Sequence, residues 1–215
     1  MARSRVNPFL RPEIVSGYEA WYETQGRRAD RLEKSLLHQL LGHFPQASSL
    51  LEVGCGTGHF TRWFGQQGLR TVGLDRSEPM LAEALRLGSV RCLQGDALAL
   101  PFPRDAIDLV ALITALEFAG DPTQALAEAL RVSSHGLLLG VLNRNSLLGR
   151  QLKQEGGPIW GPARLFSPGE LTRLVRRAAA GRQVKITWRT TLWPVWPASL
   201  RLAWGGFIGL AVLSS

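Results

Sequence analysis

A short apolar run that ends in a glycine-rich turn places the strongest constraint on how this chain folds. The stretch SLLEVGCGTGHF, residues 49–60, puts strand-forming side chains directly before Gly54, Gly56 and Gly58. Glycines at this spacing let the backbone turn sharply out of a strand and into a helix, and they let a ligand approach the main chain closely. The turn therefore predicts an α/β domain that binds a ligand where this first strand ends.

The rest of the chain alternates short apolar runs with amphipathic segments. Further strands are predicted at 70–75, 90–93, 106–116 and 136–143, with helices between them at 60–68, 78–87 and 121–132. Such alternation favours a parallel sheet covered by helices on both faces. Apolar residues at three- and four-residue spacing over 13–44 predict two more helices with a break near Gly26. Towards the end of the chain, a capped helix is predicted at 168–180. The two strand-like runs that follow it predict a final antiparallel hairpin.

Length and composition favour one domain with additions. The 215 residues, 45% of them apolar, can bury a full core. We expect a single domain over residues 1–215, with an N-terminal helical cap at about 8–44 and a lid at about 144–166. The oligomeric state is left open by the sequence.

Charge and cysteine content narrow the classes of protein further. The net charge of +8 raises the possibility of a nucleic-acid partner, yet no run of arginine or lysine exceeds two residues. The two cysteines lack metal-site spacing, so we expect a reduced cytoplasmic protein without a metal. Prolines and Arg201 interrupt the apolar stretch at 192–213, so no transmembrane segment is predicted, and the polar N-terminus does not resemble a signal peptide.

Three acidic residues bear on the ligand of the glycine turn. A dinucleotide fingerprint needs a further glycine where His59 stands, and no lysine follows the turn to form a phosphate-binding loop. Glu52, two residues before Gly54, would repel a pyrophosphate but can accept hydrogen bonds from an ammonium group. Asp75 ends the second strand and can bind both hydroxyls of a ribose, and Asp96 follows the third strand and can accept from an adenine amino group. Together they predict a ligand with adenine, ribose and an ammonium group but no phosphate, which is S-adenosylmethionine (SAM).

Five segments carry a resemblance to a known family: LLEVGCGTGHF, VGLDRSEPML, QGDALALPFPRDAIDLV, ITALEFAGDPTQALAEALRV and LFSPGELTRLV. Over about residues 45–180 the sequence resembles a class I SAM-dependent methyltransferase of the small-molecule type. The resemblance implies a three-layer αβα Rossmann-like fold with a seven-stranded sheet, mostly parallel with an antiparallel last strand, and S-adenosylhomocysteine as product. The residues it implies for cofactor binding are Tyr18, Glu52, Gly54, Gly56, Gly58, Asp75, Arg76, Met80, Asp96, Ala97, Leu98, Thr114 and Leu116.

The methyl acceptor is not specified by these motifs. A sulfonium leaving group is already charged, so catalysis needs mainly alignment and exclusion of water, and a base only where the acceptor must lose a proton. Candidates for such a base are Glu117, His59 and Tyr22, and candidates for the substrate pocket are Tyr22, Asn143 and Trp160. We expect a small-molecule acceptor. An RNA or other nucleic-acid methyltransferase and a SAM-binding protein without turnover are the alternatives, although TALEF stands where amino-directed DNA methyltransferases carry their Pro-Pro motif.

Overall fold

The computed structural model describes residues 8–88, 90–192, 196–200 and 203–214, except for the side chains of residues 192 and 196–200. Its strands are β1 Ser49–Val53, β2 Arg70–Asp75, β3 Cys92–Gln94, β4 Ile107–Ile113, β5 Ser133–Leu142, β6 Val184–Leu192, β7 Trp196–Leu200 and β8 Phe207–Ser214. They form one sheet in the order β3-β2-β1-β4-β5-β8-β6-β7. The helices are α1 Pro12–Glu23, α2 Arg27–Leu41, α3 His59–Gln66, α4 Glu78–Leu87, α5 Pro122–Val132, α6 Leu147–Glu155, α7 Gly157–Trp160 and α8 Pro168–Ala178. Short 3-10 turns occupy Pro8–Leu10 and Leu116–Phe118.

Local signals position several helix starts. The side chains of Ser77, Asp121 and Ser167 each accept a hydrogen bond from the backbone of the first turn that follows, and a proline stands in that turn in all three helices. A side-chain acceptor satisfies N–H groups that have no partner within the helix, and proline lacks the N–H that would otherwise stay unpaired there. These starts therefore follow from residues that are neighbours in sequence.

The predicted fold class is confirmed, with a correction to the strand count. The sheet is mostly parallel, and β8 lies antiparallel to both β5 and β6, as expected for the antiparallel last strand. The sheet has eight strands rather than seven among the described residues, because β7 pairs with the outer edge of β6. Pro197 lies within β7, and an edge strand tolerates proline because only one side of its backbone must pair. Residues 193–195 and 201–202 of the predicted apolar C-terminal stretch lie outside the described residues.

The core lies on both faces of the sheet, and side chains alternate between them. In β4, Val110 and Leu112 pack with α5 and α8, whereas Leu109, Ala111 and Ile113 pack with α2 and α3. This alternation is the two-residue period of a strand, and burial on both faces explains the unbroken apolar run. The sheet is therefore the middle of three layers.

The order of the strands creates the place where a ligand can bind. β1 pairs with β2 on one side and with β4 on the other, so the chain leaves the sheet centre in opposite directions from these two strands. Open α/β sheets bind ligands at such a point, beyond the carboxyl ends of the strands. None of the helices in the described ranges is long and apolar enough to cross a membrane.

Candidate functional site

A cleft of about 900 Å³, counting the part open to solvent, lies beyond the carboxyl ends of β1, β2 and β4. The predicted cofactor residues that line it are Tyr18, Gly54, Gly56, Asp75, Arg76, Met80, Asp96, Ala97, Leu98 and Thr114. The lining residues that the sequence did not predict are Phe9, Val53, Leu74, Gly95, Leu112, Ala115, Phe118, Ala119 and Gly120. The cleft has the size and the mixture of apolar walls and few polar groups that small-ligand sites have.

The glycine loop passes from β1 over the end of β2. The backbone N–H groups of Gly54 and Cys55 both donate to the carbonyl of Leu74, at 2.7 and 3.1 Å. Gly54 has a φ of 77°, and a Cβ added to it would lie 2.4 Å from the Cβ of Ala115. Only glycine combines this left-handed backbone with such close contact. Gly58 does not line the cleft and instead precedes α3 with a φ of 80°.

Asp75 joins the loop to the second strand. One carboxylate oxygen accepts from the backbone N–H of Gly56 and the other from that of Ser77, each at 2.8 Å. Burial raises the pKa of Asp75 above its usual value, although these backbone N–H groups favour the ionised form. Because a carboxylate has about four lone-pair sites, both oxygens keep capacity to accept from a ligand.

Glu52 does not line the cleft. It is buried, and one carboxylate oxygen accepts a hydrogen bond from the hydroxyl of Thr61 in α3. Glu52 lies two residues after Leu50, which packs on the α3 face, and the strand period places both side chains on that face. Burial raises the pKa of Glu52 to about 8. The structure therefore places this residue behind the loop.

Two residues after β4 differ in their relation to the cleft. Thr114 lines it with a φ of 49°, which is unusual for a β-branched residue. Leu116 is fully buried in the core with α5 and α8 and does not line the cleft. Strained backbone of this kind is concentrated at functional sites, but it is a tertiary feature that sequence does not display.

Aromatic rings from distant parts of the chain close one side of the cleft. The Phe9 ring lies edge-on to Tyr18 and to Phe118, with centroids 6.0 and 4.9 Å away. The hydroxyl of Ser77 donates to the Phe9 carbonyl at 2.6 Å. The segment around Phe9 has no periodic pattern, so no sequence signal pointed to it.

His59 and Tyr22 lie in a second, charged pocket formed with residues of α1, α2 and α3. The imidazole Nε2 of His59 is 2.7 Å from a carboxylate oxygen of Asp30, and Nδ1 is 3.7 Å from one of Glu19. These acids raise the pKa of His59 above its usual value, against the opposing effect of burial. Tyr22 stacks on the imidazole at 3.7 Å, and its hydroxyl lies 3.5 Å from that of Tyr18. Neither Tyr22 nor His59 lines the cleft, so the structure does not bring them to it as free bases.

The other candidates lie behind the cleft wall. Glu117 is fully buried, one oxygen accepts from the Leu142 N–H at 2.8 Å, and burial raises its pKa to about 8. The amide of Asn143 donates to the carbonyls of Ala203 and Gly205 at 2.8 and 2.7 Å, so this side chain fixes a loop. The Trp160 ring lies 6.3 Å from that of Phe118. None of the three lines the cleft, although Trp160 contacts Phe118, which does, and Glu117 precedes Phe118 in the chain.

The cleft fits SAM better than a phosphate-bearing ligand. It carries acids, Asp75 and Asp96, where hydroxyl and amino donors are expected, and apolar groups such as Met80 and Leu98 that can cover a flat ring. Arg76 is the one cationic side chain among its described lining residues. Within the described ranges, no group of three or more side chains could hold a metal ion.

Comparison with known proteins also indicates a methyltransferase that binds SAM. The profile of a family described as "Methyltransferase domain" matches residues 51–139. A SAM-dependent methyltransferase of Thermotoga maritima, described as a possible histamine N-methyltransferase, superimposes with a TM-score of 0.82 at 28% identity, over 96% of this chain and 99% of that one.

Sequence relatives extend the comparison. An uncharacterized protein of Methanocaldococcus jannaschii is 28% identical over 163 residues, which are 74% of this chain and 75% of that protein. A malonyl-[acyl-carrier protein] O-methyltransferase of Erwinia billingiae is 34% identical over 126 residues, 57% of this chain. The match spans 48% of that enzyme, about half its length. Together with the cleft, these matches confirm SAM as the cofactor, and the chain belongs to the class I SAM-dependent methyltransferases.

Proposed function

We propose that the chain transfers the methyl group of SAM to a small molecule that binds beside the aromatic wall of the cleft. SAM, when bound, supplies a methyl group already activated on a sulfonium. The observation that carries the proposal is the fixed Asp75 carboxylate facing the same cleft as the Gly54–Gly56 turn and Asp96. In this arrangement the chain's task is to orient the two reactants and to exclude water.

We assign the lining residues by their chemistry. Asp75 accepts from the ribose hydroxyls and Asp96 from the adenine amino group, while Met80, Ala97 and Leu98 cover the ring. The amino-acid part of SAM then lies over the glycine turn, beside Tyr18 and Thr114. Glu52 acts on it only indirectly, by holding the loop and α3 together through Thr61.

The cap and the lid enclose the acceptor in this proposal. The segment 8–44 contributes Phe9 and Tyr18 to the cleft wall, and the segment 144–166 carries Trp160 against Phe118. Opening of either segment would admit the acceptor, and closure would exclude water from the methyl group.

The distribution of arginine supports a small molecule over a nucleic acid. Arg62 pairs with Glu19 at 2.8 Å and Arg131 with Glu128 at 2.7 Å, away from the cleft lining. A nucleic-acid enzyme needs cations along the path to its reacting base, because phosphate contacts supply much of the affinity. The two similar proteins of named activity, a possible histamine N-methyltransferase and a malonyl-[acyl-carrier protein] O-methyltransferase, also support transfer to a metabolite or a carrier-bound group.

The test is calorimetric titration with SAM and with NAD. SAM should bind and NAD should not. Asp75→Asn should weaken SAM binding by at least about tenfold, which is about 1.4 kcal/mol, because an amide replaces one accepting oxygen by a donor. Asp105→Asn, an exposed loop acid, is the matched control and should leave the affinity unchanged.

Three results would count against the proposal. Unchanged SAM affinity in Asp75→Asn would remove the ribose assignment. Tight NAD binding would contradict the reading of the cleft. RNA-dependent release of S-adenosylhomocysteine, together with RNA binding that weakens steeply with salt, would favour the nucleic-acid alternative instead.

A further inference from the structure

The charged pocket beside the cleft is centred on His59. This residue begins α3 directly after the glycine turn, and its two ring nitrogens face acids from two different helices. Nε2 lies 2.7 Å from a carboxylate oxygen of Asp30 in α2, and Nδ1 lies 3.7 Å from one of Glu19 in α1. The Tyr22 ring of α1 stacks on the imidazole, with centroids 3.7 Å apart. One side chain therefore contacts both helices of the N-terminal cap.

Glu19 ties α1 to the glycine turn itself. Its carboxylate accepts from the Thr57 hydroxyl at 2.5 Å and from the Arg62 guanidinium at 2.8 Å. Arg62 also donates to the Thr57 carbonyl at 2.8 Å. Thr57 is fully buried and stands between two glycines of the turn. Both the side chain and the backbone of this turn residue are thus held by charged groups outside the cleft.

A lysine completes the cluster. Lys34 Nζ lies 2.8 Å from the other oxygen of Asp30 and 2.9 Å from Nε2 of His59. We call the five charged residues the clasp: Glu19, Asp30, Lys34, His59 and Arg62. Their side chains are only 13–22% exposed, so solvent and salt screen their charges only in part. A change in the charge of one member therefore changes how firmly the others are held.

His59 is the member of the clasp whose charge changes near neutral pH. Burial lowers the pKa of His59, and Lys34 does so too, but the contacts with Asp30 and Glu19 raise it above its usual value. Burial alone would raise the pKa of Glu19, but its contacts within the clasp, that with His59 foremost, bring it down to about 2. Protonated His59 therefore attracts both acids. A neutral imidazole loses this attraction, and its Nε2 can then accept from Lys34 instead.

Two buried glutamates also respond to the charge of His59. Burial raises the pKa of Glu33 in α2 to about 7 and that of Glu52 in β1 to about 8, and the His59 charge opposes both shifts. Because these acids titrate in the same range as a histidine, a pH dependence by itself does not identify His59. Variants of the clasp residues are required to isolate it.

The clasp adjoins the cofactor cleft through α1 and through the turn. Tyr18, the neighbour of Glu19, lines the cleft, and a carbon of its ring lies 3.9 Å from the point where a Cβ on Gly56 would stand. The Gly56 N–H donates to Asp75 at 2.8 Å. Separation of α1 from α3 would therefore remove Tyr18 from the cleft wall and release Thr57, the neighbour of Gly56.

We infer that the clasp couples SAM binding to the charge of one histidine: protonated His59 holds the N-terminal cap on the glycine turn, and loss of the proton loosens the cap and weakens SAM binding. Glu19 is a positioning residue, which does not line the cleft and acts on the cofactor through Thr57 and the turn. The inference rests on the proposed placement of SAM over the turn and on no particular acceptor. Because coupling between binding sites is reciprocal, bound SAM must in turn hold the proton on His59 more tightly.

Calorimetric titration with SAM at pH 6 and pH 8.5 measures the coupling. Affinity in the unmutated protein should fall by at least about fivefold between the two pH values. His59→Gln, whose side chain stays neutral, should lose most of this fall and bind SAM more weakly than the unmutated protein at pH 6. Contributions from Glu33, Glu52 and the amino group of SAM are common to both proteins, so the difference between them reports on His59.

Glu19→Gln separates the charge of the clasp from its hydrogen bonds. Glutamine keeps an oxygen that can accept from Thr57 and Arg62, but it removes the charge that faces His59. The variant should therefore lose more SAM affinity at pH 6 than at pH 8.5, whereas a purely structural role would weaken binding equally at both. Glu23→Gln, the same change one turn further along α1 at an exposed position, should leave the affinity unchanged at both pH values.

The reciprocal effect can be measured on the histidine in the unmutated protein, so that it does not depend on the folding of any variant. In an NMR titration, the imidazole signal of His59 is identified by its contact with the Tyr22 ring. Saturation with SAM should raise the pKa of His59 and leave that of the exposed His43 as it was.

Three results would each overturn the inference: an equal fall in affinity with pH in His59→Gln and the unmutated protein, equal losses at the two pH values in Glu19→Gln, or a His59 pKa that SAM does not raise. If SAM binds and depends on Asp75 while any of these results is found, the clasp fails and the proposed function stands. If SAM does not bind, both fall together.

Discussion

Two constraints require glycine at position 54 in the cleft loop: the left-handed backbone conformation and the closeness of the Ala115 side chain. Mutations can separate their contributions to stability. In Gly54→Ala, the φ of 77° would place an L-residue in the left-handed region, at a cost of about 1–2 kcal/mol. The new Cβ would also lie 2.4 Å from the Cβ of Ala115, well inside the 3.0 Å below which atoms must move. Overpacking of this kind costs about 1–3 kcal/mol, so the substitution should destabilise the protein by about 2–5 kcal/mol.

Gly68→Ala is the matched control. Gly68 has a φ of 90°, but a Cβ added there would meet no atom within 4 Å. It should therefore cost only the backbone part, about 1–2 kcal/mol. Adding Ala115→Gly to Gly54→Ala removes the clash but leaves the backbone strain, so the double variant should regain about 1–3 kcal/mol relative to the expectation for independent sites.

The assay is urea unfolding of Gly54→Ala, Ala115→Gly and their double variant, analysed with the unmutated protein as a double-mutant cycle, and of Gly68→Ala as the control, all followed by circular dichroism. SAM affinity, measured in parallel, should fall in Gly54→Ala by more than in Gly68→Ala, because only the first change displaces the loop. Equal destabilisation by Gly54→Ala and Gly68→Ala, or no recovery on adding Ala115→Gly, would refute the argument from contact.

Two further predictions concern pH. Burial raises the pKa of Glu52 to about 8 from about 4.5, so its contribution to stability is present below pH 4.5 and is lost as the pH rises towards 8. In Glu52→Gln, the difference between the free energies of unfolding in urea at pH 5 and at pH 8.5 should therefore shrink, by about 5 kcal/mol at most. An unchanged difference would contradict this cause. The pKa of His59 is raised above 6.5, so its contribution is complete below pH 6.5 and is lost as the pH rises through the folded value. Thermal melts of His59→Gln should lack that loss, which the exposed control His43→Gln should retain, and identical melting profiles would reject the role of the Glu19 and Asp30 contacts.

Local chemistry made much of the fold predictable. The second strand and the helix after it have the predicted bounds, 70–75 and 78–87, because a short β-branched and apolar run ends at an acid and a capping serine follows. Asp75 and Asp96 could be placed in one cleft because parallel strands end at the same edge of a sheet. The choice of SAM over a dinucleotide needed only those acids and the missing glycine at His59.

The tertiary structure decided which polar groups remain available to a ligand. His59 starts α3 as a plausible base, but Asp30 and Lys34, 25–29 residues away in sequence, occupy its nitrogen. Glu52 is an acid as predicted, but its side chain lies on the α3 side of its strand and accepts from Thr61 instead of lining the cleft. The side-chain amide of Asn143 already donates to two loop carbonyls.

The sequence by itself determined the layered α/β architecture, the methyl donor and the acids that line the cleft, because these depend on residue type and on strand and helix periods. Only the tertiary structure brought Phe9 to the cleft wall and buried Glu33 and Glu117. Contacts between residues so distant in the chain arise from how helices pack over the sheet, and desolvation, which sets the chemistry of those two glutamates, exists only once that packing is complete.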